Sequence, residues 1–249
     1  MNRVYPKKRN GNGNGNGSDV MELIKLEEIT KSPNQILKRN IKIKCKNEKQ
    51  KEFIKLIDNN QIILCDGPSG CGKSHLSILK SLSYLTDENT KYNKIYILTP
   101  TVEITKNGVG FLPGSFSDKV SMFMHSVYNL FDKIIGKENS DKLLKENIIE
   151  ILGLGYIRGE NLDNCLLIVD EAQNISKKEM LTILTRIGSN CKMIISGDIM
   201  QIDNFKNKEE SGLYHAIQNL KDINDIGIFK FTIDDIVRNT IINKILEKY

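Results

Sequence analysis

The chain has 249 residues, of which 36 are Lys or Arg and 31 Asp or Glu, for a formal charge of +5. With 39% apolar and 27% charged residues it has the composition of a folded globular protein, at a length that suits one domain. No apolar run approaches the roughly 18–20 residues that cross a bilayer, which argues against a transmembrane helix and a membrane partner.

The charge excess lies at the start of the chain. Arg3, Lys7, Lys8 and Arg9 precede the first acid, Asp19, and the rest is close to neutral. Residues 11–17 alternate Gly and Asn, so residues 1–18 are expected to form a disordered basic tail and 19–249 a single domain. No apolar stretch follows the four cations, so they do not read as a secretory signal. Cys45, Cys65, Cys71, Cys165 and Cys191 contain no C-x-x-C pair. Neither a zinc site nor a disulfide framework is expected, and the compartment they suit is a reducing cytoplasm.

Farther along, short runs that are apolar throughout predict buried strands at Ile62–Cys65, Ile95–Leu98, Leu166–Val169 and Met193–Ile195, with a weaker fifth at Ile226–Phe231. Continuous apolarity, as opposed to alternation, is what a parallel sheet covered on both faces requires. Between the strands, Val120, Phe123, Val127, Leu130 and Ile134 recur at three- and four-residue steps, the stripe of one helix. Ser176 and Glu179 have capping-box spacing ahead of Met180, Leu181, Leu184 and Ile187. This alternation predicts an α/β fold, a mostly parallel sheet with helices on both faces.

The strongest chemical signal is Gly67-Pro68-Ser69-Gly70-Cys71-Gly72-Lys73-Ser74, followed by His75. It fits the phosphate-loop pattern and lies between a strand and a helical run, the context that pattern needs. Glycines let successive backbone N–H groups turn inward on phosphate oxygens beside a helix N-terminus. Lys73 would meet the β- and γ-phosphates, and the Ser74 hydroxyl would bind Mg²⁺. The same donors would favour a thiolate at Cys71.

A second strand ends in Asp170-Glu171, placing two acids where open α/β sheets bind ligands. Asp170 suits the Mg²⁺ shell and Glu171 the activation of an attacking water. A third strand runs into Gly197-Asp198-Ile199-Met200-Gln201, whose Gln201 amide suits a γ-phosphate or that water. Gln50, ahead of the first strand, is a candidate for the adenine edge. Arg238 is a candidate for stabilising transition-state charge.

In order along the chain, these residues resemble the PhoH-like ATPase family, which is related to the first RecA-like domain of superfamily 1 helicases. The resemblance extends over Asn47 and Gln50, Gly67–Ser74, Pro100-Thr101-Val102-Glu103, Gly110–Gly114, Tyr156-Ile157-Arg158-Gly159, Asp170–Asn174, Gly197-Asp198 with Gln201, Ser211-Gly212-Leu213 and Asp235–Arg238. It implies a single P-loop domain, binding of ATP with Mg²⁺, hydrolysis, and a link to single-stranded RNA. Thr99 stands where the family usually has Arg, and Asn239 where it often has His. One RecA-like domain lacks the second that such motors close upon, so a homo-oligomeric ring, with Arg238 acting across a subunit boundary, is an expectation. Two other readings stay open: a nucleoside or nucleotide kinase, and an RNA-binding or scaffold module switched by ATP with negligible turnover.

Overall fold

The computed structural model describes Pro33, Leu37 and residues 41–100, 116–155, 157 and 161–237, all within the unit formed by residues 31–249. The expectations for residues 1–18, for the stretches at 101–103 and 110–114, and for Tyr156, Arg158 and Arg238 lie outside the described residues.

Among the described residues six α-helices and six strands follow one another: α1 (Glu48–Asn59), β1 (Ile62–Asp66), α2 (Lys73–Leu85), β2 (Lys94–Leu98), α3 (Phe116–Ile135), α4 (Lys137–Lys145), β3 (Ile149–Leu152), β4 (Cys165–Val169), α5 (Lys177–Leu184), β5 (Lys192–Gly197), α6 (Gly212–Asn219) and β6 (Ile226–Lys230). The strands form one sheet in the order β3-β2-β4-β5-β1-β6, and each of the five pairings is parallel. All five strands expected from the sequence are present. β3 is an addition to them: Ile149-Glu150-Ile151-Leu152 is a short edge strand whose Glu150 breaks the apolar run and pairs with Lys94 of β2 at 2.6 Å.

Period-two side chains divide the core between the two faces of the sheet. Leu64, Leu98, Leu167, Val169, Met193 and Ile195 pack on one face with Met180 and Ile183 of α5 and Leu213 and Ala216 of α6. On the other, Ile95, Ile97, Leu166 and Ile168 meet Ile78, Leu82, Val127, Phe131 and Ile135 of α2 and α3. Beside them Ile63, Cys65 and Ile194 meet Phe53 and Ile57 of α1. Burying each of these large side chains stabilises the fold by about 1.5–3 kcal/mol. On α3 the buried centre of the stripe is Val127, Phe131 and Ile135, with Leu130 and Ile134 at its flank. On α5 the Ser176–Glu179 capping box forms, but Leu181 is 63% exposed, so it leaves the expected core stripe and Ile183 takes its place.

α1 has no cation in its last turn; Lys192 of β5 supplies one. Its buried ammonium donates to the carbonyls of Ile57, Asp58 and Asn60, the orphan acceptors at the end of that helix. Desolvation pushes Lys192 down to about 8. Lys192→Met is expected to cost about 1.5–3 kcal/mol in urea unfolding at neutral pH, since three carbonyls lose a charged donor. Because the folded pKa lies below the ordinary lysine value, the unfolded chain holds more protons from about pH 8 upward. Stability contributed at this position therefore rises over that window in the unsubstituted protein and stays flat in Lys192→Met.

Among the described residues no helix is long and apolar enough to cross a membrane.

Candidate functional site

β1 delivers the chain into the loop Gly67–Gly72, and the backbone turns where only glycine turns freely: φ is +93° at Gly70 and +101° at Gly72. Gly72 is the N-cap of α2 and offers no side chain to the helix, so the first-turn amides are not satisfied by a side-chain cap. Three contacts hold this loop from below. Gln50 Nε2 donates to Cys71 O at 2.8 Å, Gly67 N–H to Gly197 O at 3.1 Å, and Val237 N–H to Gly70 O at 3.1 Å. Gly67 also lies against Phe231, where a Cβ would come within 2.6 Å of the Phe231 Cβ. Phe231 is fixed in turn by Phe53 and Phe229, with ring centroids 5.3 and 4.8 Å away.

Lys73 begins α2 and is 9% exposed. Its ammonium folds across the loop onto Gly67 O (2.5 Å) and Pro68 O (3.0 Å), 4.0 Å from Cys71 Sγ. Ser74 is partly buried and His75 exposed in the same first turn. The expected thiolate at Cys71 is corrected: burial pushes that thiol up, and the Lys73 charge offsets only part of the effect. Gln50 is 4% exposed, with Oε1 accepting from Lys46 N–H at 2.8 Å while Nε2 holds the loop. In this structure its amide is engaged with the loop and not presented to a base. Gln50→Ala leaves a buried carbonyl and a backbone N–H without their partner, a cost of about 1–3 kcal/mol. Urea unfolding of Gln50→Ala beside the unsubstituted protein checks this.

β4 ends in the two acids. It is not next to β1, because β5 lies between them. At the carboxyl edge the end of β5 therefore presents its polar groups to both neighbours. Ser196 Oγ donates to Asp170 Oδ1 at 3.2 Å, and Ile199 N–H to Asp66 Oδ1 at 3.0 Å. Glu171 is exposed and adopts a left-handed backbone (φ +54°), uncommon for a residue with a side chain. Its Oε2 accepts from Gln173 Nε2 at 2.8 Å.

Gln173 falls within the stretch Asp170–Asn174 that carries the resemblance, but the sequence assigns it no role; the structure makes it the link between the acids and the neighbouring turn. At 1% exposure it bonds to three partners: the Glu171 carboxylate, Asp198 N–H (3.1 Å to its Oε1) and Gln201 O (3.3 Å from its Nε2). The signal available in the sequence was an amide two residues after the acids at a strand end; that Ala172 and Gln173 are both buried in a 3-10 turn comes from the structure. Asp198 is 7% exposed, and burial pushes its carboxyl up against the pull of the Met200 amide, Lys73 and the Ser69 amide. Gln201 lies on the turn that follows, with N–H bonded to Asp198 O at 2.9 Å. Together with Gly67, Pro68, Ser69 and Asp198 it lines a groove of about 1190 Å³.

The structure thus brings Lys73, Asp198 and Gln201 to one edge of the sheet as the neighbours of the loop, and places Asp170 and Glu171 at the end of β4 on the far side of β5. Among the described residues no three His, Cys, Asp or Glu side chains converge as a metal cage. A hydroxyl and one carboxylate, Ser74 and Asp170, are hard oxygen donors of the kind Mg²⁺ takes when phosphates and water complete its shell, so the donor set fits that ion.

A sequence profile of the family described as PhoH-like protein matches residues 42–249. The chain is 36% identical to the PhoH-like protein of Bacillus subtilis (strain 168) over 90% of its own length and 67% of that protein's. It is 33% identical to the PhoH-like protein of Mycobacterium tuberculosis (strain ATCC 25618 / H37Rv), over 88% and 62%, and 31% identical to Protein PhoH of Escherichia coli (strain K12), over 83% and 58%. It therefore spans about three fifths to two thirds of the length of these relatives. Among solved structures, the large terminase from a thermophilic bacteriophage is similar with a TM-score of 0.49 at 12% identity, over 83% of this chain and 51% of that one. With its profile match spanning the phosphate loop, the Asp170-Glu171 strand end and the Gln201 turn, the chain belongs to the PhoH-like protein family.

Proposed function

We propose that the chain binds ATP with Mg²⁺ and hydrolyses it. The observation that carries this reading is the pairing of a glycine-turned phosphate loop with a strand, one position removed in the sheet, that ends in Asp170 and Glu171. The loop amides and Lys73 would hold the phosphates, while Ser74 and Asp170 would hold Mg²⁺. The ion, when bound, neutralises charge on the transferred phosphoryl group. Glu171, oriented by Gln173, accepts a proton from the attacking water; Gln201, tied to the same Gln173 through its carbonyl, positions that water or the γ-phosphate. Catalysis is then positioning and electrostatics by groups fixed before the substrate arrives.

A kinase is less well supported: Glu171 and the Gln173 bridge to Gln201 suit water as the acceptor. An ATP-switched scaffold would not need Glu171 at all. Single-stranded RNA as the polymer partner, a ring of copies and a cytoplasmic location belong to the same proposal. In the ring, Arg238 would act across a subunit boundary on the phosphates of a neighbouring copy.

The test is phosphate release from ATP by the full chain, with and without Mg²⁺ and with and without single-stranded RNA. Release that needs Mg²⁺ but no phosphate acceptor supports hydrolysis. ADP formed only on adding a nucleoside, with the phosphoryl group carried to that nucleoside and no free phosphate, supports the kinase, and tight ATP binding with neither product supports the switch. Stimulation by RNA supports the polymer partner, and its absence removes it.

A further inference from the structure

Cys165 opens β4 and Cys191 directly precedes β5; the register of these paired strands, Leu166 with Lys192, places the two cysteines side by side. Cys165 Sγ donates to Cys191 Sγ at 3.7 Å, and the side chains are 0% and 1% exposed. Neighbouring strands lie about 4.8 Å apart, within the Cα separation that a disulfide bridges. The pair sits at the amino end of the sheet, away from the nucleotide edge.

Buried thiols react only if an oxidant can approach, and the approach here is short. Each cysteine follows an Asn in left-handed backbone, Asn164 at φ +51° and Asn190 at φ +52°. The two Asn side chains bond to each other at 2.9 Å, and Asp163, Ser189 and Asn190 are exposed. The sulfurs therefore lie one residue inside a surface double turn held in part by exposed hydrogen bonds, the kind that local opening breaks first. Cys191 is the better nucleophile of the two: it accepts the Cys165 S–H bond, which pulls its pKa down while that of Cys165 is pushed up.

We propose that Cys165 and Cys191 form a peroxide-reactive dithiol that closes to an intramolecular disulfide. The Cys191 sulfur attacks one oxygen of hydrogen peroxide and the O–O bond breaks. The departing oxygen leaves as water with the thiol proton, and Cys191 becomes a sulfenic acid. The Cys165 sulfur then attacks that sulfur: the S–S bond forms, the S–O bond breaks, and a second water leaves with the Cys165 proton. Two thiols are oxidised and one peroxide is reduced. The bridge joins the starts of the two strands that carry Asp170 and Asp198 at their other ends, and it uses no residue assigned to ATP or Mg²⁺.

The test treats the reduced full chain with hydrogen peroxide under native conditions and maps its peptides without reduction. The expected result is a cross-linked peptide joining Cys165 to Cys191, with free thiols falling from five to three and dithiothreitol restoring all five. The oxidised chain should also melt at a higher temperature, because the bridge closes a loop in the unfolded state. Cys165→Ser should leave a sulfenic acid on Cys191 that dimedone labels, and Cys191→Ser should leave neither product. Peroxide treatment of the unsubstituted protein that leaves Cys165 and Cys191 as free thiols, or links them only after urea is added, overturns the proposal whether or not the variants fold. None of these readouts depends on ATP turnover.

Discussion

Glu171→Gln should lower ATP turnover by about 10²–10⁴-fold, the contribution of a positioned general base, while leaving ATP binding nearly intact. The side chain keeps its shape and still reaches Gln173, so the change removes basicity and little else. Lys73→Ala should behave differently. Its ammonium is the cation that lies across the loop mouth, and losing it removes about 2.7–4 kcal/mol of stabilisation from the charge that develops on the phosphates. Turnover then falls about 10²–10³-fold, with weakened nucleotide binding as well. The two are separated by titrating a fluorescent ATP analogue and measuring single-turnover phosphate release on the same samples. Unchanged release by Glu171→Gln would sink the reading of Asp170-Glu171 as a hydrolytic pair, even if Lys73→Ala lost all binding. Hydrolysis would then require a base other than Glu171.

How far the sequence carries depends on whether a residue acts locally. The strands Ile62–Asp66 and Cys165–Val169 are legible because burial on both faces forces continuous apolarity, and the phosphate loop because Gly70 and Gly72 need backbone angles that other residues resist. Strand order is not legible in the same way. Nothing in the spacing of the two motifs says that β5 passes between β1 and β4, yet that insertion is what lets Ser196 reach Asp170. β3 escapes a reading of apolar runs because an edge strand buries less and tolerates Glu150. Leu181 falls in the expected core because period alone does not say on which side of Met180 the buried face continues. The side chains acting over long range are the least legible of all. A solvated glutamine on a helix is the ordinary expectation for Gln50, yet its partner, Cys71, is 21 residues away. Lys192 reads as a charge at the start of a strand until the end of α1, more than 130 residues earlier, is placed against it.

The same distinction makes Gly197→Ala a severe substitution for a single added methyl. Gly197 ends β5 in fully buried surroundings, and no special backbone angle is needed there, so the restriction is one of space. A Cβ would come within 2.5 Å of Gln173 Oε1, 2.8 Å of Gln173 N and 2.8 Å of Leu213 Cδ2. In a looser core Leu213 would rotate aside, but here it is fully buried between α6 and the sheet, and the Gln173 nitrogen is backbone. Overpacking of this kind costs about 1–3 kcal/mol, or about 2–12 °C in Tm for a domain of this size. The site should suffer with the fold, because the displaced side chain is the one that joins Glu171, Asp198 and Gln201. Gln173→Ala tests that link. It removes the amide while keeping the backbone clash, so a double substitution should lose less turnover than the two single losses combined. Full additivity would mean that Gly197 and Gln173 act on catalysis independently. A Gly197→Ala protein that melts and turns over like the parent would show that the end of β5 yields readily, and that the tight contact has no part in aligning the acids.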